Sequence, residues 1–211
     1  MSDTSQRDDL KFFGQVSATI SHDLKNVLAV INEGAGLLDD LCMLAGKGRP
    51  IEPERLASVA KSILGQVRRG DAIIKNMNTF AHSVDEDVRS MDMGEMLTLM
   101  GELCSRPVKA AGASLEVTPC ECHLRADPYG VERVLHGMIL CALKNAQQGT
   151  ALTLSATMEA EGLRILLAGL PQEPHPEEQL HETARALGAQ FHVRNRSLEL
   201  TLPTQPPETG N

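Results

Sequence analysis

Aromatic side chains are almost missing from this chain. Its 211 residues include no tryptophan, one tyrosine and four phenylalanines. An all-β sandwich draws its core from aromatic and β-branched residues, so the scarcity points to packed helices with Leu, Val, Ile, Met and Ala as core material. Missing too is any apolar run of about 18 residues, the length a bilayer-spanning helix requires, and no secretory leader is seen. The chain is therefore expected to be cytoplasmic, with no membrane partner. Basic residues are in the minority, 20 against 28 acidic, for a formal net charge of -8. The longest basic cluster is Arg68-Arg69, and no basic patch is interleaved with aromatics, which argues against nucleic acid as the main partner. Five cysteines are an odd number, and the expected compartment favours free thiols.

The one cysteine cluster is "PCECHL", with Cys120, Cys122 and His123. Structural zinc commonly uses a C-x2-C pair and a second pair of ligands. Neither is visible here, so the cluster reads as a short strand with both cysteines on one face, and no metal site is expected.

Residues 1–10 are polar and read as a frayed tail. From there an apolar pattern sets in. Phe13, Ile20, Val27, Gly34 and Leu41 are spaced by seven; Ser17, Leu24, Ile31, Leu38 and Ala45 form a second series offset by four. These are the two inward rows of a bundle helix. "AGKGRPIEP" breaks the pattern with two glycines and two prolines, and a second repeat follows through Leu56, Ala60, Ile63, Val67, Gly70, Ile74, Met77 and Ala81. Residues 11–84 thus read as a helical hairpin. One hairpin cannot bury two full rows, so two copies are expected to form a four-helix bundle, a homodimer.

The acidic stretch "VDEDVRSMD", residues 84–92, reads as a linker. Residues 92–203 then alternate in type. Helices are expected in "MGEMLTLMGELCSRPVKAAG", in "ADPYGVERVLHGMILCALKNAQQG" after an Asp127-Pro128 start, and in "PEEQLHETARALGA", which ends at Gly188. Strands are expected in "SLEVT", in "ALTLSATMEAEGLRILLAGL" as a pair turning at Glu161-Gly162, and in a final hairpin "QFHVRNRSLELTLP". The fold class is α+β: a hairpin, then helices on one side of a mixed or antiparallel sheet, with residues 204–211 as a second flexible tail.

Inside the first helix, "SHDLKN" interrupts the aliphatic pattern. Ile20 and Leu24 point inward, so His22 between them faces out, and Asn26 follows one turn later on the same face. An exposed imidazole is substantially neutral and nucleophilic near neutral pH. A carboxylate such as Asp23 on one ring nitrogen fixes the tautomer and leaves the other free to attack. The residues alone leave open that this is merely a surface histidine beside a charged face.

"SHDLKNVLAVI" resembles the phosphoacceptor box of two-component histidine kinases, and "RADPYGVERVLHGMILCALKNA" resembles a helix of their ATP-binding domain. The resemblance covers about residues 12–203. It implies a dimerisation and phosphoacceptor hairpin followed by an α/β-sandwich ATPase-like domain. The family's helix carries two asparagines four apart, the second a magnesium ligand. Gly137 and Cys141 stand at those positions, and neither replaces an amide oxygen on a hard cation well. The family's next element is an Asp before a glycine-rich turn, and here Ala168 stands near the Asp position. The long lid and its glycine cluster, whose backbone N–H groups would hold phosphates, have no counterpart.

The resemblance therefore implies a degenerate ATP site that binds no cofactor. The expected function is a histidine phosphotransferase: His22 accepts phosphate from the aspartate of a response-regulator receiver domain and passes it on. Asp23 orients or deprotonates His22, Asn26 positions water or the phosphoryl group, and magnesium arrives with the receiver. A phosphatase centred on Asn26, a non-catalytic dimeric scaffold, and a kinase with an unusual nucleotide site stay open as alternatives.

Overall fold

The structure is a computed structural model and describes residues 3–204. It divides into two compact units, residues 1–80 and 81–211.

The first unit is a hairpin of two long helices, α1 (Asp3–Gly46) and α2 (Pro53–Ala81). α1 takes in residues 3–10, which the sequence reading assigns to a tail. No glycine or proline precedes Gly14, so nothing in the covalent chain stops the helix before that point. The remainder of that tail, residues 1–2, and residues 205–211 of the C-terminal one lie outside the described residues. α1 ends where Gly48 takes a φ of 83° and where the Lys47 and Gly48 N–H groups return to the Leu44 and Ala45 carbonyls at 3.0 and 2.9 Å. Glycine reaches that left-handed conformation without a Cβ penalty. Pro53 then opens α2, its fixed φ suiting a first helical position.

Ile20, Val27 and Leu41 are buried on α1 as the first series requires, but at its N-terminal end the inward residue is Phe12, 6% exposed, while Phe13 is 42% exposed. A straight helix drifts by about 20° for every seven residues, so a fixed count of seven loses the inward face over so long a helix. Both rings meet Phe80 of α2: Phe12 edge-on at 5.5 Å and 88°, Phe13 stacked at 5.5 Å and 23°. The second series stays half-buried at Ser17, Leu24, Ile31 and Leu38, and on α2 Ala60, Val67, Ile74 and Met77 are exposed. Within one chain, then, the hairpin buries a single row.

The second unit begins with a 3-10 turn, His82–Val84. The expected linker is shorter than residues 84–92, because Arg89–Asp92 forms a strand, β1. β1 pairs antiparallel with β3 (His123–Ala126), Met91 opposite Leu124. This partner lies far along the chain and leaves no local pattern in the acidic stretch. Asp92 also caps α3 (Met93–Leu103), its Oδ1 accepting from the Gly94 and Glu95 N–H groups at 2.8 and 3.1 Å. α3 was expected to continue to the glycine at 112. It breaks at Cys104, and α4 (Ser105–Ala110) follows. Pro107 is the reason: it has no N–H to give the Leu103 carbonyl, and its ring would collide with it.

β2 (Ser114–Val117), β4 (Ala151–Glu159), β5 (Gly162–Ala168), β6 (Gln190–Arg194) and β7 (Ser197–Leu202) form a five-stranded sheet in the order β2-β4-β5-β7-β6. β2 and β4 are parallel and the other pairs antiparallel, so the sheet is mixed. Asn195 and Arg196 turn β6 into β7 with φ of 48° and 58°, the two left-handed residues of a tight hairpin. One face, with Leu152, Leu154, Ile165, Leu167, Leu198 and Leu200, is buried. The other carries the Arg164–Glu199 and Arg164–Glu159 pairs at 3.0 and 3.3 Å. α5 (Pro128–Leu143) and α6 (Glu178–Ala186) complete the helical layer. The unit is an α+β domain with one covered sheet face.

Candidate functional site

His22 sits in the first half of α1, with Ile20 buried two residues before it and Leu24 half-buried two after. The packing of its neighbours turns the imidazole outward, with its side chain 45% exposed. Asn26 Nδ2 lies 3.2 Å from His22 Nδ1, across one helical turn. Asp23 Oδ1 is 3.6 Å from the same nitrogen, an ion-pair distance rather than a hydrogen bond, and its carboxylate is 18% exposed. Both polar neighbours thus converge on Nδ1 rather than on Nε2. The arrangement suits an imidazole that holds its proton at Nδ1 and attacks through Nε2. In that tautomer Asn26 presents its amide oxygen, a half-turn of the carboxamide away, and Asp23 favours the positive charge that develops on the ring.

In the second unit, Gly137 and Cys141 lie on α5, and Ala168 is half-buried at the end of β5. The α5 surface at Gly137 is covered by α6: a Cβ on Gly137 would lie 2.8 Å from Leu180 Cδ1. Cys141 is buried. Burial pushes its thiol pKa up, the Lys144 ammonium opposes this, and Glu177 adds to it. Lys144, just past α5, pairs with Glu177, the residue preceding α6. The two helices are therefore joined at Gly137 by apolar packing and at Lys144 by charge. Leu180 was not singled out from the sequence, and it belongs to the apolar stripe of α6 with Ala184.

Sequence reasoning also passed over Glu132. It is fully buried on α5, with the Ser83 hydroxyl beside its carboxyl. Burial raises its pKa to about 8, while Ser83 and Arg89 act in the opposite sense and Asp127 adds to the rise. A legible signal existed: Glu132 falls four residues after Pro128 and three before Leu135, inside the apolar stripe of α5. A cavity of roughly 350 Å³ opens beside this region, lined by Ser83, Asp87, Asp127, Tyr129 and Leu187 among others.

Among the described residues no helix is long and apolar enough to cross a membrane, and no three His, Cys, Asp or Glu side chains are grouped so as to hold a metal ion.

No protein-family model matches the chain, and no curated protein matches it. Solved structures do. The catalytic domain of the histidine kinase ThkA is similar at 14% identity and a TM-score of 0.47, over 56% of this chain and 97% of that one. The ATP-binding domain of PrrB from Mycobacterium tuberculosis is similar at 17% identity and a TM-score of 0.46, over 57% and 99%. The histidine kinase AdeS of Acinetobacter baumannii is similar at 14% identity and a TM-score of 0.45, over 87% of this chain and 98% of its own.

Proposed function

We propose that the chain is a histidine phosphotransferase of a two-component phosphorelay. The observation that carries the reading is the outward-facing His22, with Asn26 and Asp23 both directed at Nδ1. His22 Nε2 attacks the phosphorus of a receiver-domain aspartyl phosphate, the P–O bond to the carboxylate breaks, and the phosphoryl group passes to the ring. Asp23 supports the imidazolium, and the reverse sequence delivers phosphate to a second receiver. Magnesium comes with the receiver domain.

The half-exposed row of α1, together with the exposed Val67, Ile74 and Met77 of α2, supports a homodimeric four-helix bundle that presents two His22 sites. The reading without ATP rests on the α5 residues and on Leu180. Gly137 and Cys141 offer no amide oxygen, and the Leu180 side chain stands where a larger residue at Gly137 would reach. A second reading, a response-regulator phosphatase, draws on Asn26, whose amide could hold a water beside the phosphoryl group.

The test is transfer of label from a phosphorylated receiver domain to the full chain. Acid-labile, base-stable label on the wild type and none on His22→Ala is the expected result. Receiver dephosphorylation that survives His22→Ala but not Asn26→Ala would establish the phosphatase instead. Saturable ATP binding by calorimetry would overturn the reading of the second unit.

A further inference from the structure

We propose that the Lys25 ammonium is the phosphoryl-binding cation of the His22 site: it closes on the oxygens of the group as that group moves to or from Nε2. This role rests on the phosphorelay reading of His22, which otherwise leaves the transferred charge without a cation from this chain. Asp23 and Asn26 are both directed at Nδ1. On a helix of 3.6 residues per turn they stand about 100° and about 40° round the axis from His22, in the same sense. Lys25 stands about 60° round in the opposite sense. The two edges of an imidazole face opposite ways, and Nε2 belongs to the edge away from Nδ1. The partners that hold Nδ1 therefore turn Nε2 toward the side of the helix that carries Lys25.

Lys25 is exposed on α1, three residues after His22, where helical side chains are neighbours with Cβ atoms about 5–6 Å apart. Its four-carbon stem is flexible, so its head can swing through the space beside the ring. Within residues 18–26, one turn to either side of His22, no other lysine or arginine occurs. The ammonium is also uncommitted. The residues three and four positions from Lys25 are Ser21, His22, Leu28 and Ala29, none of them acidic, so no carboxylate stands where a helix surface would pair it. Asp23, two residues away, lies on another side of the helix and turns to His22 instead. Among the described residues no hydrogen bond or ion pair holds the Lys25 head. By contrast, Lys11 is tied to Asp8 and Lys144 to Glu177. A free cation beside a nucleophile, on a chain of net charge -8, is fit to receive an anion.

The negative charge of the transferred group spreads over its three equatorial oxygens as it passes between donor and acceptor. At the start His22 holds its proton at Nδ1 and offers the Nε2 lone pair. The Nε2–P bond forms, the bond from phosphorus to the leaving atom breaks, and that atom departs with its electron pair. The ring keeps the Nδ1 proton and carries the positive charge beside Asp23. Lys25 keeps all its protons throughout. Its N–H groups donate to the equatorial oxygens, and such charge-assisted hydrogen bonds strengthen as charge develops there. Asp23 alone would repel the incoming anion, and Lys25 offsets that repulsion from the other flank.

The test isolates this step from receiver docking by using phosphoramidate as the donor, from which ammonia leaves. Acid-labile, base-stable phosphate on the full chain is followed with time by phosphorus NMR and located by peptide mapping. The expected result is label on His22 of the wild type, with uptake about 10- to 100-fold slower in Lys25→Ala and Lys25→Gln, the range spanned by one charged hydrogen bond. Lys25→Arg should restore most of the rate, which separates loss of the charge from loss of the stem. Thermal unfolding of all three variants should match the wild type, because Lys25 has no paired charge to lose. Uptake by Lys25→Ala or Lys25→Gln at the wild-type rate overturns the role of Lys25 and leaves the relay reading standing. Equally slow uptake by Lys25→Arg overturns it too. Label that reaches His22 from phosphoramidate, depends on Lys25 and never passes to any receiver domain supports the Lys25 role and fails the relay. An unlabelled His22 in the wild type overturns both.

Discussion

Replacing Glu132 by glutamine should change how stability depends on pH, by an amount that the site itself defines. Glu132 is fully buried, and its pKa is raised from 4.5 to about 8, first by burial. In the unfolded chain the same carboxyl ionises near its ordinary value. Below pH 4.5 it is protonated in both states and imposes no pH-dependent cost. Between about 4.5 and 8 the unfolded state gives up the proton and the folded state keeps it. Stability is therefore lost as pH rises through that window, at about 1.4 kcal/mol per pH unit. The accumulated penalty is about 0.7 kcal/mol at pH 5 and about 3 kcal/mol at pH 7. Glutamine has nearly the same shape and no proton to lose. Urea unfolding followed by circular dichroism at pH 5, 6 and 7 reads the effect, with reductant present to keep the thiols free. The buried amide adds a constant offset of its own, so the decisive quantity is the difference in slope between Glu132→Gln and wild type. His136, whose pKa burial lowers to about 4, tilts both proteins in the opposite sense and cancels in that difference. Parallel stability profiles for the two proteins would refute the reasoning, because they would mean that Glu132 is ionised in the folded state.

Gly137→Ala should be close to neutral in urea unfolding, since the atom the new Cβ meets, Leu180 Cδ1 at 2.8 Å, is the end of a flexible side chain, and the cost of moving it is offset by alanine's helix preference of about 1 kcal/mol. In a double-mutant cycle, Gly137→Ala should be more favourable in the Leu180→Ala background than in the wild type. Phe80→Ala removes the ring that both Phe12 and Phe13 contact, and should destabilise the hairpin by about 3–5 kcal/mol in urea unfolding. Asp92→Ala removes the acceptor for Gly94 and Glu95, and should cost about 1 kcal/mol, with faster hydrogen exchange at those two amides.

The hairpin was legible because Ile20, Val27 and Leu41 repeat at a helical spacing long enough to survive local noise. The misplacement of Phe13 came from the same regularity, since a repeat counted in whole residues does not follow a helix of 3.6 residues per turn. The paired strands of the sheet announced themselves through alternation, as in Leu163, Ile165 and Leu167. β1 did not, because what makes Arg89–Asp92 a strand is β3, some 30 residues away. At the candidate site, His22, Asp23 and Asn26 could be placed on one surface from spacing alone. That Asn26 comes nearer than Asp23 to the imidazole is a matter of side-chain rotation, which spacing does not encode. Leu180 was invisible for another reason: a leucine in an amphipathic helix says nothing of which glycine it will meet.

The packing of α1 on α2 has a mechanical consequence. At Gly34 the missing side chain leaves a notch on α1 for Ile63, whose Cγ1 would be 2.8 Å from any Cβ placed there. At Gly70 the roles are exchanged, and Val27 of α1 faces a notch on α2, with Cγ1 3.4 Å from the corresponding point. Val27 and Gly34 are seven residues apart, about 10 Å along the helix axis. Two detents of opposite sense at that separation resist sliding in either direction, because any axial shift lifts both knobs from their notches at once. The hairpin therefore transmits torque or splay far more readily than a piston stroke, and the height at which His22 stands above α2 is fixed like a mark on a ruler.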